Sequence, residues 1–345
     1  MTELEVQATT LDPHLSQKDY VPIIETSFNS KMRILSRKAP RQEYVSSRKS
    51  IVHTPLHWGQ RKLLLSEIEF LTNWGDDAKL VVYAGSAGGY HIPLLSALFP
   101  YHKFDLYDPA PFAITETDKI KIYNVKMTNK VAKSYRNIDH LFLSDTRTVS
   151  HPGYIEDKKK RRIAEQEYAK NIFSDNAMQH EWIENMRPLW SMVKFKLPYE
   201  DINGQDHTVY PSGKIYLPVW GKPTTSESRL VFNLEGIDNP RAYNHKKYEE
   251  QMFYFNNNNL LSYYPHEYGS TDVFHPIGID HCYSCRAEIF ILENYLKKIN
   301  NEDLPELVLR GLVKNLSETL SYPLSPAHYD LRSKWLVNQE KINKK

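Results

Sequence analysis

The sequence predicts an α/β fold built on a mostly parallel sheet with helices on both faces. Two observations lead to this prediction. Residues Lys79–His91 read KLVVYAGSAGGYH, in which a short apolar run leads into a glycine-rich turn, and an apolar helical pattern follows. Further short apolar runs come later in the chain, and two of them end in a carboxylate, Asp108 and Asp145. Open α/β sheets bind ligands at the carboxyl ends of their strands, so we expect a site at that edge.

The glycine-rich turn Gly85–Gly89 is the first candidate binding feature. Glycine lets the backbone turn without strain and approach a ligand closely. The spacing departs from the dinucleotide fingerprint G-x-G-x-x-G and matches no Walker loop, so a purely structural turn is the alternative. Asp108, about 20 residues further on, is placed to accept hydrogen bonds from ribose hydroxyls. Its alternative role is to cap a turn.

The composition is typical of a globular protein. The 345 residues allow one large domain or two ordinary ones, with 41% hydrophobic and 25% charged residues. The net charge of +2 predicts no global field for nucleic acid, so any basic surface is local. No apolar run approaches the roughly 18 residues of a membrane span, and the first residues show no signal-peptide pattern. We therefore expect no membrane association.

Two cysteines, Cys282 and Cys285, occur in the stretch HCYSC. They could form half of a zinc site with His281, or a redox pair, and the alternative is two buried thiols in a helix. So few cysteines fit a reducing, intracellular compartment.

The chain divides into three predicted parts. Residues 1–50 are polar with scattered basic groups, which predicts a poorly packed, flexible arm that is either a tail or a contact for nucleic acid. Residues 51–300 form the main domain, and residues 301–345 form a C-terminal helix and tail. Predicted helices cover Pro55–Trp74, Ile163–Met186, Lys246–Asn257, Asp280–Ile299 and Leu304–Leu320. Predicted strands cover Val81–Tyr83, Phe104–Asp108, Ile120–Val125, His140–Asp145, Leu189–Tyr199, Lys214–Trp220 and Ser228–Leu234.

Three polar features stand out between these elements. The loop Ser150–Arg162 ends in five basic residues, which suit either a solvated helix start or a rim that contacts phosphates. The run Asn256–Asn259 predicts a loop. Lys194 and Lys196 share one face of their predicted strand.

Several blocks between Trp58 and about Leu296 resemble the poxvirus-type cap-specific mRNA 2′-O-methyltransferases, which also serve as the small subunit of viral poly(A) polymerase. The blocks are GQRKLLLSEIEFL, VVYAGSAGGYHI, LFLSDTRT, VKFKLPYED, SESRL and YEEQMFYFN. The resemblance implies a Rossmann-like, S-adenosylmethionine-dependent methyltransferase from a large DNA virus. It also implies a virion or a cytoplasmic site of viral transcription as the location.

Methyltransferases of this class carry a Lys-Asp-Lys-Glu tetrad, which the resemblance places at Lys62, Asp145, Lys194 and Glu227. Methyl transfer to a ribose hydroxyl needs in-line alignment and help with the loss of a proton. The resemblance makes Lys194 the general base or the holder of the developing alkoxide, with Lys196 as its competitor. Asp145 and Glu227 then orient the lysines, and Lys62 positions the hydroxyl.

The resemblance also implies the ligand contacts. The cofactor, S-adenosylmethionine, is assigned to Gln60, Tyr83, Gly85, Gly89, His91 and Asp108. Two positions depart from the family pattern, since Gly88 stands where the family has proline and Ala110 replaces an arginine.

The family sandwiches the cationic 7-methylguanine between aromatic rings and reads its amino edge with carboxylates. The matching residues are Tyr199, Asp201 and Glu249, and Tyr44 is the choice for the second ring.

The sequence thus predicts an enzyme that methylates the first nucleotide of capped mRNA, with no metal. Its expected partners are capped mRNA and a poly(A) polymerase catalytic subunit. One alternative is a non-catalytic or dual-function RNA-binding processivity subunit of that polymerase. Another is a ribosomal-RNA methyltransferase of the same fold.

Overall fold

The structure, a computed structural model, describes residues 26–43, 59–148, 155–198, 205–221, 225–260, 262, 264, 282–300 and 306–321. The strands are β1 (Leu80–Ala84), β2 (Lys103–Tyr107), β3 (Ile120–Tyr123), β4 (Leu141–Ser144), β5 (Trp190–Phe195), β6 (His207–Tyr210), β7 (Lys214–Tyr216), β8 (Ser228–Asn233) and β9 (Arg241–Asn244). The α-helices are α1 (Gly59–Trp74), α2 (Ile92–Leu98), α3 (Asn129–Ser134), α4 (Lys158–Met186), α5 (Leu234–Asp238), α6 (His245–Tyr254), α7 (Tyr283–Asn300) and α8 (Glu306–Ser321). A 3₁₀ helix covers Ser30–Arg33, and a π-helix, Phe255–Asn259, continues α6.

Seven strands form one sheet in the order β3-β2-β1-β4-β5-β8-β7. Strands β1 to β5 are parallel, and β8 runs antiparallel to both of its neighbours. Strands β1 and β4 are buried almost throughout, as expected for central parallel strands covered by helices. Helix α1 packs with α2, α7 and α8, and α3 packs with α4. The predicted α/β class with a mostly parallel sheet is confirmed.

The strand order changes direction between β1 and β4. The chain moves from β1 outward to β2 and β3, then returns to the other side of β1 with β4 and β5. Ligands of open α/β sheets bind in the crevice at such a switch point, beyond the carboxyl ends of the strands. Gly85 follows β1 and Asp145 follows β4, and Asp145 N donates to Ala84 O at 3.0 Å.

The described part of the predicted N-terminal arm is packed, which corrects the expectation of a poorly packed segment. Arg33 is 2% exposed, and its guanidinium donates to Glu69 and, at 2.7 Å, to Tyr283 Oη. Leu35 N donates to Ile215 O at 2.8 Å, so the segment also extends the edge of the sheet at β7. The boundaries at 50 and 300 stay predictions.

The Asn-rich run is helical, so the prediction of a loop there was wrong. Asn257 and Asn258 each donate from the side chain to a backbone carbonyl four residues earlier. Asn256 is buried and donates to Thr225 O at 2.8 Å. These contacts give the Asn side-chain amides hydrogen-bond partners within the protein, which in a solvated loop water would provide.

Two other boundaries differ from the prediction. Helix α4 begins at Lys158, capped by the side chain of Asp157, so the basic run forms the exposed start of a helix. Strand β5 ends at Phe195, so Lys196 lies beyond it. The short elements β6, β9, α3 and α5 were not predicted.

Cys282 and Cys285 lie at the start of α7 as two buried thiols, with their Sγ atoms 3.3 Å apart. This matches the prediction of buried thiols, while His281 lies outside the described residues. Among the described helices, none is long and apolar enough to span a membrane.

Candidate active site

The first turn of α1 sends two consecutive side chains in different directions. Arg61 pairs with Glu288 of α7, and both side chains are almost fully buried. The next residue points about 100° away around the helix, and its Nζ, that of Lys62, lies 2.5 Å from Glu227 Oε1. The Arg61 pair therefore fixes the helix turn that carries Lys62.

The four residues of the predicted tetrad lie together at the carboxyl edge of the sheet. Lys194 Nζ lies 3.3 Å from Asp145 Oδ1 and 3.4 Å from Glu227 Oε2, so it bridges both carboxylates. Lys62 approaches Glu227 through the other carboxylate oxygen. The side chains are 13–19% exposed, which leaves each within reach of a substrate from one side.

Arg229 is a fifth charged member of this cluster, and the sequence analysis missed it. Its Nη2 donates to Asp145 Oδ1 at 2.6 Å, and its Nη1 lies 3.9 Å from Glu227 Oε1. It is paired with Lys194 in the β5–β8 register. The signal was available, because residues two apart in an extended chain share a face, and Arg229 follows Glu227 by two.

Three cations surround two carboxylates in this cluster. Burial raises the pKa of Glu227, but the attraction of Lys62, Lys194 and Arg229 outweighs it, and the pKa lies well below its usual value. The same balance, with Lys194 as the largest attraction, lowers the pKa of Asp145. Burial lowers the pKa of Lys62, and the attraction of Glu227 does not offset it. Both carboxylates are thus ionised at neutral pH, and the cluster carries one excess positive charge when all three cations are protonated.

The structure separates the two candidate lysines, Lys194 and Lys196. Lys194 lies within the strand and points into the cluster. Lys196 follows the strand end, where its Nζ lies 3.1 Å from Tyr168 Oη and 4.9 Å from the centre of that ring. Only the first of them is placed among the carboxylates.

The glycine-rich turn brings the ends of β1 and β4 close together. Gly85 has φ 79° and Gly89 has φ 69°, a region that L side chains rarely adopt. A Cβ on Gly85 would lie 2.7 Å from Thr146 N, which no side chain tolerates. Glycine is therefore structurally required at Gly85.

Asp108 ties the glycine-rich turn to the end of β2. Its Oδ2 accepts from Ala87 N at 3.1 Å and its Oδ1 from Ala110 N at 2.8 Å. The carboxylate thus caps a turn, as the alternative interpretation expected. Each oxygen retains a second lone pair, so these contacts leave acceptor capacity for hydroxyl groups.

Two of the predicted cofactor residues, Tyr83 and His91, are joined through Glu67, which the sequence analysis missed, and a third, Gln60, contacts His91. Tyr83 Oη donates to Glu67 at 2.7 Å, and His91 Nε2 lies 2.9 Å and 3.0 Å from its two oxygens. His91 Nδ1 lies 2.7 Å from Gln60 Oε1. Burial and the negative charge of Glu67 raise the pKa of Tyr83 well above its usual value. Glu67 follows Gln60 by seven residues, two helical turns, so a shared helix face was the available signal.

Of the predicted cap-binding residues, Glu249 lies on α6 and is half-buried. Tyr44, Tyr199 and Asp201 lie outside the described residues, so the cap site stays a prediction.

A small pocket opens beside the tetrad. Lys62, Glu227 and Arg229 line its polar side, and Leu217–Val219 line its apolar side. Two tetrad residues therefore face open space.

The chain matches the profile of a family described as poly A polymerase regulatory subunit over residues 39–275. The chain belongs to this family. The match spans the tetrad, the glycine-rich turn and the four predicted cap residues.

Individual relatives are more distant. A fowlpox virus protein named cap-specific mRNA (nucleoside-2′-O-)-methyltransferase is 27% identical over 216 residues, 57% of this chain and 66% of that protein. A myxoma virus protein of the same name is 23% identical over 240 residues, 64% of this chain and 67% of that protein. Among solved structures, bluetongue virus VP4, titled a multifunctional RNA-capping production-line, matches with a TM-score of 0.36 and 12% identity, over 70% of this chain and 36% of that one. The chain thus spans about two thirds of the length of the curated relatives.

Proposed function

We propose that the protein is an S-adenosylmethionine-dependent mRNA 2′-O-methyltransferase that acts on the first nucleotide of 7-methylguanosine-capped RNA. The observation that carries the proposal is the tetrad, gathered with Arg229 into one ion-pair cluster at the carboxyl edge of the sheet. The names of the fowlpox and myxoma virus relatives support this assignment. The ribosomal-RNA alternative has no comparable support.

The charges of the cluster suit the deprotonation of a ribose hydroxyl. In its neutral form Lys194 would accept the proton of the 2′-hydroxyl and so become an ammonium group, whereas in its charged form it would only hold the developing alkoxide. Lys62 would approach the same oxygen from α1. The excess positive charge stabilises the alkoxide that develops, because fixed cations in a partly dry site need little reorganisation. Asp145 and Glu227 keep the two ammonium groups in place, since each is paired with one of them.

The residues around the switch point fit the cofactor. Asp108 follows the glycine-rich turn and retains acceptor capacity for ribose hydroxyls. Gln60, Tyr83 and His91 form one largely buried polar network with Glu67. When bound, S-adenosylmethionine supplies an electrophilic methyl group carried on a sulfonium.

A second function is favoured by the family itself. We propose that the chain also acts as a regulatory subunit of a poly(A) polymerase, with that enzyme and RNA as partners. The two roles can coexist in one chain. The tetrad favours the catalytic role, because a processivity factor alone has no use for it. The site of viral transcription is the proposed location, since the named relatives are viral mRNA-modifying enzymes.

The first test is methyl transfer from labelled S-adenosylmethionine to short RNAs with a 7-methylguanosine cap, an unmethylated cap or no cap. We expect transfer to be confined to the methylated cap. Lys194→Ala should lower kcat by about 10²–10⁴-fold, the usual range for a lost acid–base group, and leave cofactor affinity nearly unchanged. Lys196→Met is the matched control, since it removes a lysine of the same segment outside the cluster.

The outcomes separate the two proposed functions. Full activity in Lys194→Ala would remove this lysine from the chemistry. If the wild type transfers no methyl group but binds capped RNA and stimulates a poly(A) polymerase, the regulatory role stands without catalysis.

A further inference from the structure

One buried hydroxyl lies between the two chain segments that carry Lys194 and Glu227. Tyr248, in the first turn of α6, is 4% exposed. Its Oη lies 2.5 Å from the carbonyl oxygen of Ser226 and 3.3 Å from that of Phe195. Ser228 Oγ lies 2.8 Å from the same hydroxyl.

These contacts reach the immediate neighbours of two tetrad residues. Phe195 follows Lys194, and Ser226 and Ser228 flank Glu227 on either side. A tyrosyl hydroxyl has one proton to donate, and the shorter contact assigns it to Ser226 O. The Tyr248 ring also packs edge-on against Phe195, with centroids 5.2 Å apart.

The position of Glu227 is not set by the sheet. The β5–β8 ladder ends with the pair Phe195 and Ser228, so Glu227 is the first residue beyond it. Backbone past the end of a ladder has no partner strand to fix it. Two hydrogen bonds from α6 and the π-helix hold this segment instead. Tyr248 donates to Ser226 O, and Asn256 Nδ2 donates to Thr225 O at 2.8 Å.

We propose that Tyr248 is a positioning residue for methyl transfer, whose hydroxyl holds the Glu227 segment against β5 so that Glu227 bridges Lys62 and Lys194. This inference rests on the proposed methyltransferase function. Tyr248 touches no tetrad side chain in its hydrogen bonds and acts through the backbone. Its effect should therefore appear in turnover rather than in binding.

The test compares Tyr248→Phe with Tyr243→Phe. Tyr243 is also buried, its ring also packs on Phe195 (5.0 Å), but its hydroxyl donates to Pro211 O, away from the tetrad. We expect Tyr248→Phe to lower kcat about 10–100-fold, the scale of an ångström-sized misplacement, with KM values for capped RNA and cofactor within about twofold. Tyr243→Phe should keep the wild-type kcat.

A second measurement needs no activity. The fall of the free energy of unfolding below about pH 4.5 includes a contribution from Glu227, whose pKa its ion pairs lower. This fall should be shallower in Tyr248→Phe and unchanged in Tyr243→Phe.

A wild-type kcat in Tyr248→Phe, or equal losses of kcat in both variants, would overturn the inference. An inactive wild type with the expected difference in pH dependence would instead defeat the proposed function and leave the positioning of Glu227 standing. If the wild type is inactive and the two variants show the same pH dependence, the proposed function and the positioning role of Tyr248 are both rejected.

Discussion

At the residue scale, the ionisation of Glu227 has a consequence for acid stability. Its pKa in the folded protein lies well below the usual 4.5, because the surrounding cations outweigh the effect of burial. As the pH falls below about 4.5, the unfolded chain takes up a proton that the folded protein rejects, and the protein loses stability. One such group contributes at most about 1.4 kcal/mol per pH unit.

Glu227→Gln should therefore have two effects. At pH 7 the variant is less stable, because Lys62 and Lys194 lose a shared counter-charge. Below about pH 4.5 its free energy of unfolding falls less steeply than that of the wild type. Urea denaturation at several pH values between 7 and 3 measures both effects. Curves that run parallel at all pH values would contradict the ion-pair assignment.

The residues that sequence analysis found and missed differ in the kind of contact they make. The tetrad was placed from its flanking blocks, and the structure brings its four members together. Glu67 contacts Tyr83, and Arg229 contacts Asp145. Both lie at a helix or strand spacing from a predicted site residue, so the sequence contained a signal for them. Tyr248 contacts backbone carbonyls, which carry no sequence signature. Only the packed chain could reveal it.

At the element scale, α6 joins the tetrad to the N-terminal segment. Tyr248 holds the Glu227 segment, and two residues later Glu250 accepts from Arg41 at 2.7 Å and, through its backbone carbonyl, from Gln42 N at 3.1 Å. The Gln251 side-chain amide donates to the backbone carbonyls of Ser36, Arg37 and Ala39. This segment leads directly to Tyr44, the residue predicted to stack on the cap.

Glu250→Gln should loosen that segment and weaken cap recognition. Because the Arg41 side chain is half exposed, the ion pair contributes little, and we expect about a two- to fivefold rise in the Kd for capped RNA. The Kd for uncapped RNA and for cofactor should stay unchanged. Fluorescence anisotropy with both RNAs measures this. Lys246→Gln, which removes the other ion pair of Glu250 within α6, is the matched control and should not alter the ratio of the two Kd values.

The more deeply buried an element is, the more accurately the sequence predicted its position. The central strands are continuous apolar runs, because both faces are covered, and their positions agree with the sequence to within a few residues. Strand β6 alternates buried and exposed residues over only four positions, too short a pattern to detect. In the helical Asn-rich run, Asn256 donates to the backbone carbonyl of Thr225 and Asn258 to the side chain of Gln42. Composition does not encode such contacts with distant parts of the chain.

At the scale of the whole molecule, one buried ion pair connects the start of α1 to α7 across 227 residues. Arg61 is 2% exposed and Glu288 fully buried, and Trp220 Nε1 donates to the same carboxylate at 2.6 Å. Arg61 Nη1 also donates to Ser317 of α8 at 2.8 Å. The pair therefore docks both C-terminal helices onto the turn that carries Lys62.

Arg61→Leu should destabilise the protein by about 3–5 kcal/mol, because it leaves the Glu288 carboxylate buried without a counter-charge. Arg61→Leu/Glu288→Gln should recover part of this loss, since glutamine is neutral and still accepts from Trp220. Arg187→Met, which removes a surface ion pair with Asp238, should cost much less. Chemical denaturation of the three variants gives these differences. If the double variant were no more stable than Arg61→Leu, the loss would come from packing of the arginine rather than from the stranded charge, and the electrostatic docking of α7 would be rejected.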